Sequence, residues 1–289
     1  MDGAALSARE VGRGRPIVVL HGGPDFDYEY FLPEMDRLAD LGRVLYYAQR
    51  GRGHSYAGEG PDDVSIDSDL ADLDAVRAWS GEDRIAILGH SFGAVLAMEY
   101  AVRHPDRISH LILMNPAPAS HADLLALREH FARIRSPEQQ ERMATLAADP
   151  AYIAGDPAIE AERYAIHFAS AFDDPANLDV ILRRLRRSFT PEAIVAARAI
   201  EDRLYEQTWR QESYDLLPRL GGLRAPALVL HGDHDLVPLE ISLHIADAIP
   251  GSRLLDLPAC GHFSTLEQPE AVHRAIADLL SPAGAGLTG

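Results

Sequence analysis

Over its first 115 residues the chain alternates two kinds of segment, and few folds accept that order. Short apolar runs rich in β-branched residues recur at Pro16–Leu20 (PIVVL), Arg43–Tyr47 (RVLYY), Arg84–Leu88 (RIAIL) and Ile108–Met114 (ISHLILM). Each has the length and the unbroken apolar character of a strand buried on both faces. Amphipathic stretches separate them at Tyr30–Leu41, Ile66–Trp79 and Phe92–Val102. In the second of these, Ile66, Leu70, Leu73 and Val76 fall at helical spacing. Strand, helix, strand, helix predicts a mostly parallel sheet covered by helices on both faces.

After Asn115 the alternation stops. From Ala117 to Arg219 no segment reads as a strand, and several helical segments are broken by Pro137, Pro150, Pro157, Pro175 and Pro191. The pattern resumes with a strand at Ala227–Leu230, a helix over Pro238–Ile249, a strand at Arg253–Leu257 and a closing helix near Glu267–Leu280. The expected organisation is an α/β core formed by residues 1–116 and 220–289, interrupted by a helical insertion over residues 117–219. With 289 residues, 47% of them hydrophobic, the chain is long enough to bury one large core. Its end, SPAGAGLTG, reads as frayed.

Composition removes several kinds of chemistry. All 27 basic residues are arginine, so mechanisms needing an internal amine drop out: a Schiff base, a pyridoxal phosphate anchor, the lysine of a phosphate-binding loop. Against 44 acids those arginines leave a net charge of −17, which argues against nucleic acid and anionic membrane surfaces as partners. Small neutral or cationic substrates remain. Cys260 is the sole thiol, which excludes an internal disulfide and a cysteine-rich metal cluster. The opening MDGAALSARE lacks a signal-peptide pattern and no run reaches the about 18 apolar residues of a membrane span, so the expectation is a soluble, cytoplasmic protein without cofactor or metal.

The segment Gly89-His90-Ser91-Phe92-Gly93 follows a strand directly and opens a helical run. In that context G-x-S-x-G marks a sharp turn that exposes a nucleophilic serine, with glycines keeping side chains out of crowded backbone. A serine hydroxyl needs a base to take its proton, and the base needs an acid to orient it. His231-Gly232-Asp233-His234-Asp235 follows one later strand and Cys260-Gly261-His262-Phe263 follows the next, both at the carboxyl edge of the expected sheet. Ser91, Asp235 and His262 are therefore the candidate nucleophile, acid and base, with Asp233 the competing acid read as a turn former. Read as a metal site, the His231 to Asp235 cluster would need adjacent ligands that point apart. His21-Gly22-Gly23-Pro24, after the first strong strand, supplies a loop whose amides can approach an oxyanion. Gly23 and Phe92 N–H are assigned to that role, Gly22 and Phe26 to substrate contact, and His21 to bonding the loop backbone. Phe26, Tyr28, Tyr30 and Phe31 either line the acyl pocket or pack between loop and cap. Arg183, Arg184, Arg186 and Arg187 read as a solvated helix face, and Cys260 as structural.

HGGP, QRGRGHS (Gln49 to Ser55), GHSFG, GDHD and GH, in this order, resemble the α/β-hydrolase fold, most closely the proline iminopeptidase branch of serine peptidases. The resemblance implies a sheet of about eight strands, a helical cap over the serine, and release of an N-terminal residue from short peptides or arylamides. The family pattern differs at three places. Asp25 stands where it has glycine, Ala48 where an aspartate would brace the neighbouring loop, and GHSFG where it has GGSWG, a form equally typical of esterases. The leader is also short for the family's opening hairpin. Ala199-Ile200-Glu201 with Tyr205 is similar to an Ile-Glu-x-x-Tyr segment of the family, which implies Glu201 as ligand of a protonated amine; the alternative is a solvated helix face. Phe168 to Asp173 is a loose analogue of the family's second amine-binding segment. The reading is a serine hydrolase of iminopeptidase type acting on a small molecule or short peptide. A carboxylesterase, thioesterase or lactonase is the rival, and a non-hydrolytic receptor or lyase on the same fold is a third reading. The sequence is silent on oligomeric state.

Overall fold

A computed structural model of the chain describes residues 4–185, 187 and 190–281. Most of the tail SPAGAGLTG and Arg186 of the arginine run lie outside the described residues. Seven strands form one sheet: β1 (Ala8–Val11), β2 (Pro16–Leu20), β3 (Arg43–Tyr47), β4 (Ile85–His90), β5 (Ile108–Met114), β6 (Ala227–Gly232) and β7 (Arg253–Leu257). Their order is β1-β3-β2-β4-β5-β6-β7. Only β1 runs antiparallel, on β3 at the sheet's edge; every other pairing is parallel. The alternation in sequence is this sheet, and β2, β4 and β6 are buried along their whole length. Among the described residues the sheet has one strand fewer than the eight the resemblance implies, because one short strand precedes β2 where an opening hairpin would stand.

The helices that flank the sheet follow the expected periodicity. Ile66–Ser80 starts at a reciprocal Ser65/Ser68 capping box and ends at Gly81, whose φ of 80° is the left-handed stop that glycine adopts without strain. Phe92–Arg103 is buried over ten of its twelve residues because it lies against the centre of the sheet. The stretch Tyr30–Leu41 departs from the expected helix. It forms two 3-10 segments, Tyr28–Phe31 and Glu34–Asp40, separated at Pro33, which has no amide proton to continue a helical ladder.

Between β5 and β6 lie helices at His121–Ile134, Pro137–Ala147, Pro150–Ile153, Pro157–His167, Asn177–Leu185, Pro191–Gln207 and Leu217–Leu220. Four of the five prolines expected to break helices start them instead, the exception being Pro175. Pro137, Pro150, Pro157 and Pro191 each occupy the first helical position, behind the capping side chains of Ser136, Asp149, Asp156 and Thr190. The missing amide costs nothing there, since the first turn's N–H groups lack intrahelical partners anyway. Polar side chains tie these helices down. Arg184 makes two bonds to Glu34, at 2.7 and 2.8 Å, and one to Tyr30 O at 3.1 Å. The reading of the arginine run as a solvated face is therefore corrected at Arg184, which is largely covered, while Arg183 and Arg187 are exposed. Its partner is 150 residues away in sequence, beyond the reach of helical periodicity. No helix among the described residues is long and apolar enough to cross a membrane.

The loop after β3 is not loosened by Ala48. Arg52 is fully buried and bonds Asp69 at 2.6 Å and Gln49 at 3.0 Å, and Arg50 grips Asp72 through bonds of 2.9 and 2.6 Å. Ser55 Oγ donates to Ala48 O at 2.6 Å, closing the loop on itself. Because the Arg52–Asp69 pair has no access to water, Asp69→Ala would strand a buried guanidinium; the expected loss is about 3–5 kcal/mol, read from urea unfolding.

Candidate active site

Ser91 occupies the turn between β4 and the helix Phe92–Arg103 with φ 54° and ψ −120°, a conformation an L residue holds only under constraint. The flanking glycines explain how the turn fits. A Cβ on Gly89 would lie 2.3 Å from Gly93 O, and one on Gly93 would lie 2.4 Å from Leu20 O. Bonds from Ser91 N to Met114 O and from Ala117 N to Ser91 O, 3.1 and 3.2 Å, hold the turn on β5. The serine lines a cavity of ≈ 310 Å³ beneath the helices between β5 and β6.

His262 lines the same cavity, and its Nδ1 lies 2.8 Å from Asp235 Oδ1. Asp235 has no side-chain exposure and accepts two further bonds, from Val237 N to Oδ1 and from Asn115 Nδ2 to Oδ2, both 2.8 Å. Burial opposes ionisation of this carboxyl, but His262, His231 and the Val237 amide outweigh it and hold its pKa at about 2, below the ordinary 3.8. Asp233 instead accepts the Cys260 amide at 3.1 Å, joining the loops after β6 and β7. The side chains of the His231 to Asp235 cluster go to separate partners, His231 to Ser242 and His234 to Asp173, as adjacent residues in a turn must. Asp27, Glu29 and His54 are the one group among the described residues whose ligand atoms gather within 4.8 Å, yet Asp27 Oδ1 is already taken by the Glu29 amide. Burial pushes the Cys260 thiol up to about 12, so it stays protonated and inert.

Gly23 faces the cavity with φ 114°, and a Cβ there would meet the Asp25 and Phe26 amides at 2.3 and 2.7 Å. Phe92 N–H belongs to the first turn of its helix, where amides are free of intrahelical bonds and the helix dipole favours negative charge. Gly22 does not line the cavity. Its N–H donates to Tyr30 Oη at 2.8 Å, which removes it from the expected substrate contacts. The Tyr30 hydroxyl in turn donates to His90 Nδ1 at 2.6 Å, and His90 Nε2–H donates to His262 O at 2.8 Å. One side-chain relay thus connects the Gly22 loop, the residue before Ser91 and the backbone of His262. Burial lowers the His90 and His21 pKa values to about 3, so both rings are neutral and serve as directional donor and acceptor. His21 bonds loop backbone as expected, accepting the Gln49 amide at 3.0 Å and lying 2.9 Å from Gly22 O.

Of the aromatic residues after this loop, Phe26 lines the cavity, whereas Tyr28, Tyr30 and Phe31 are packed behind it. Phe168 and Phe263 complete an apolar wall, their rings 5.3 Å apart. Asp173, in contrast, points away and pairs with His234. Glu201 reaches the cavity from the helix Pro191–Gln207, and Tyr205 Oη donates to its Oε1 at 2.6 Å. Burial raises the Glu201 pKa, and Asp202 and Glu160 add to the effect. Asn115 and Asp25 escaped the sequence reading as site residues, and Tyr30, read as pocket or packing, takes the packing role. Asn115 ends β5 at the sheet's carboxyl edge, a positional signal, but its bond to Asp235 spans 120 residues.

The sequence profile of the alpha/beta hydrolase fold matches residues 15–269. A proline iminopeptidase of Lactiplantibacillus plantarum is 30% identical over 265 residues, 89% of this chain and 88% of that protein. An enol-lactonase from Burkholderia xenovorans is 25% identical and superposes with a TM-score of 0.64 over 95% of this chain and 96% of that one. A proline iminopeptidase of Mycobacterium smegmatis shares the fold with a TM-score of 0.69 at 22% identity, over 95% and 94% of the two chains.

Two outcomes follow from the geometry. Tyr30→Phe leaves the Gly22 amide and His90 Nδ1 buried without partners and should lower stability by about 1–3 kcal/mol, seen as an earlier denaturation midpoint. Since the Asp235 carboxyl is depressed in the folded chain, its contribution is complete above the ordinary 3.8 and is lost as pH falls through about 2. The stability difference between wild type and Asp235→Asn should therefore shrink over that window in acid titrations followed by circular dichroism.

Proposed function

Because this chain belongs to the α/β-hydrolase fold family and is a hydrolase of the serine type, we propose that it releases an N-terminal amino acid from a small amide or short peptide, as an iminopeptidase does. The observation that carries this reading is Glu201: a carboxylate with no ion-pair partner among the described residues, in the same cavity as Ser91. A free α-amine is cationic at neutral pH, and a carboxylate removed from bulk water is the group that recognises it. Residues 117–219 act as the cap that brings this acid over residues 1–116 and 220–289.

The chemistry runs through three side chains. With Nδ1 committed to Asp235, His262 takes the Ser91 proton at Nε2 as Oγ attacks the scissile carbonyl. Gly23 and Phe92 N–H hold the resulting oxyanion. Collapse expels the leaving amine, protonated by His262, and water activated by the same imidazole frees the acyl group. The apolar wall of Phe26, Phe168 and Phe263 supports a rival substrate, a small ester or lactone.

Ser91→Ala should abolish turnover and fluorophosphonate labelling; a folded wild type that resists the probe would favour a non-hydrolytic receptor. Proline 4-nitroanilide set against p-nitrophenyl butyrate separates the two substrate classes. Glu201→Gln should cut anilide kcat/KM at least ten-fold, about 1.4 kcal/mol of binding, and an unchanged value would overturn the aminopeptidase reading.

A further inference from the structure

The cavity over Ser91 holds three carboxyl groups, Asp25, Glu160 and Glu201, and they are not equivalent. Glu160 is paired with Arg198 at 3.0 Å, and the Arg198 guanidinium also covers the Tyr152 ring. Arg163 lies over the other side of the same residue, 4.3 Å from its ring, and Arg210 pairs with Asp202 and Glu206. Arg198 and Arg210 are thus ion-paired with other carboxylates, while Arg163 and Arg198 act on Glu201 and Asp25 only through space. Asp25 and Glu201 form no ion pair among the described residues; each receives one tyrosine hydroxyl, from Tyr164 and Tyr205 respectively.

Asp25 differs from Glu201 in where it stands. It belongs to the loop of Gly23, and its Oδ1 lies 2.8 Å from where a Cβ of Gly23 would be. An acyl carbonyl whose oxygen is held by the Gly23 N–H would lie against the loop that carries this carboxyl. In an α-amino acyl group the nitrogen is about 2.5 Å from the carbonyl carbon, two bonds away. The ammonium is thus confined close to the carbonyl held by the oxyanion loop, and Asp25 is the carboxyl that loop carries into the same cavity.

We propose that Asp25 receives the substrate's α-ammonium group from the core side, with Glu201 closing the site from the cap, so that a cationic amine next to the scissile carbonyl is selected by two carboxylates. This assignment rests on the aminopeptidase reading. It also accounts for electrostatics that are otherwise unfavourable: burial first, then the charges of Glu201 and Glu160, hold the Asp25 carboxyl well above the carboxylate range. A bound ammonium compensates that repulsion, whereas a neutral acyl group leaves it in place. Asp25 is thereby a specificity residue, contributed by the position where the resembling family carries glycine.

The test is a selectivity ratio. Wild type, Asp25→Asn and Asp25→Gly are assayed with proline 4-nitroanilide and with its des-amino analogue, cyclopentanecarbonyl 4-nitroanilide. L-prolinamide and cyclopentanecarboxamide serve as the corresponding competitive inhibitors. Both variants should lower the preference for the amino substrate at least ten-fold, chiefly through KM, and should weaken prolinamide relative to cyclopentanecarboxamide. Equal losses on both anilides would overturn the assignment and make Asp25 a support of the oxyanion loop. Wild-type preference retained in a folded variant would overturn it as well. If wild type cleaves neither anilide yet hydrolyses p-nitrophenyl butyrate, the aminopeptidase reading itself falls and takes this assignment with it.

Discussion

The turn at Ser91 is the constraint on which the site depends. Its backbone angles cost an L residue of order 1–3 kcal/mol, so they persist only where the surroundings leave no alternative. Here the surroundings are backbone: Gly93 seated on the carbonyls of Leu20 and His21, Gly89 on Gly93, and two main-chain bonds onto β5 and the residue beyond it. Relaxing the turn would require β2, β4 and β5 to separate, and these are central strands of the sheet, buried over all or most of their length. Sheet stability is thereby converted into the exposure of one hydroxyl. The same turn opens a twelve-residue helix, so the amides of that helix's first turn come with the Ser91 hydroxyl.

Around that turn, loops are held by side chains where regular structure ends. Tyr30 and His90 connect the Gly22 loop to the loop of His262, while His21 and Gln49 connect it to the segment after β3. His90 and His21 are kept neutral by burial, a condition for acting as fixed donor and acceptor. Asp235 is treated differently by the fold. It is as buried as they are, yet the charge interaction with His262, followed by hydrogen bonds from His262 and Val237, keeps it ionised. Burial alone would have made all these groups neutral, and the neighbouring imidazole separates this carboxyl from the relays.

The net charge of −17 acquires a local meaning in the cap. Some acids there are matched by arginines, as Glu160 is by Arg198 and Glu162 by Arg142. What distinguishes the cavity is Asp25 and Glu201, which form no ion pair among the described residues and each accept a tyrosine hydroxyl. Burial raises the pKa of both, so a proton or a bound cation stabilises them.

Much of this protein was legible in its residues because the signals are local. Four of the six strands read from apolar runs have the observed bounds, since run length and β-branching specify a buried strand without reference to anything distant. Ser91, Asp235 and His262 were readable for a related reason: each follows a strand, and parallel strands deliver their carboxyl ends to one edge. The failures share a cause too. Prolines were read as helix ends because a proline's effect depends on which turn it occupies. Arg184 was read as solvated because Glu34 lies 150 residues away, Asn115 was passed over because its partner is 120 residues distant, and the role of Tyr30 was left open between pocket and packing because His90 lies 60 residues away. Sequence by itself determined the direction of the backbone and which strand ends carry reactive groups. Only the tertiary structure decided which polar groups meet, because a hydrogen bond depends on separations of a few tenths of an ångström that packing of distant segments sets.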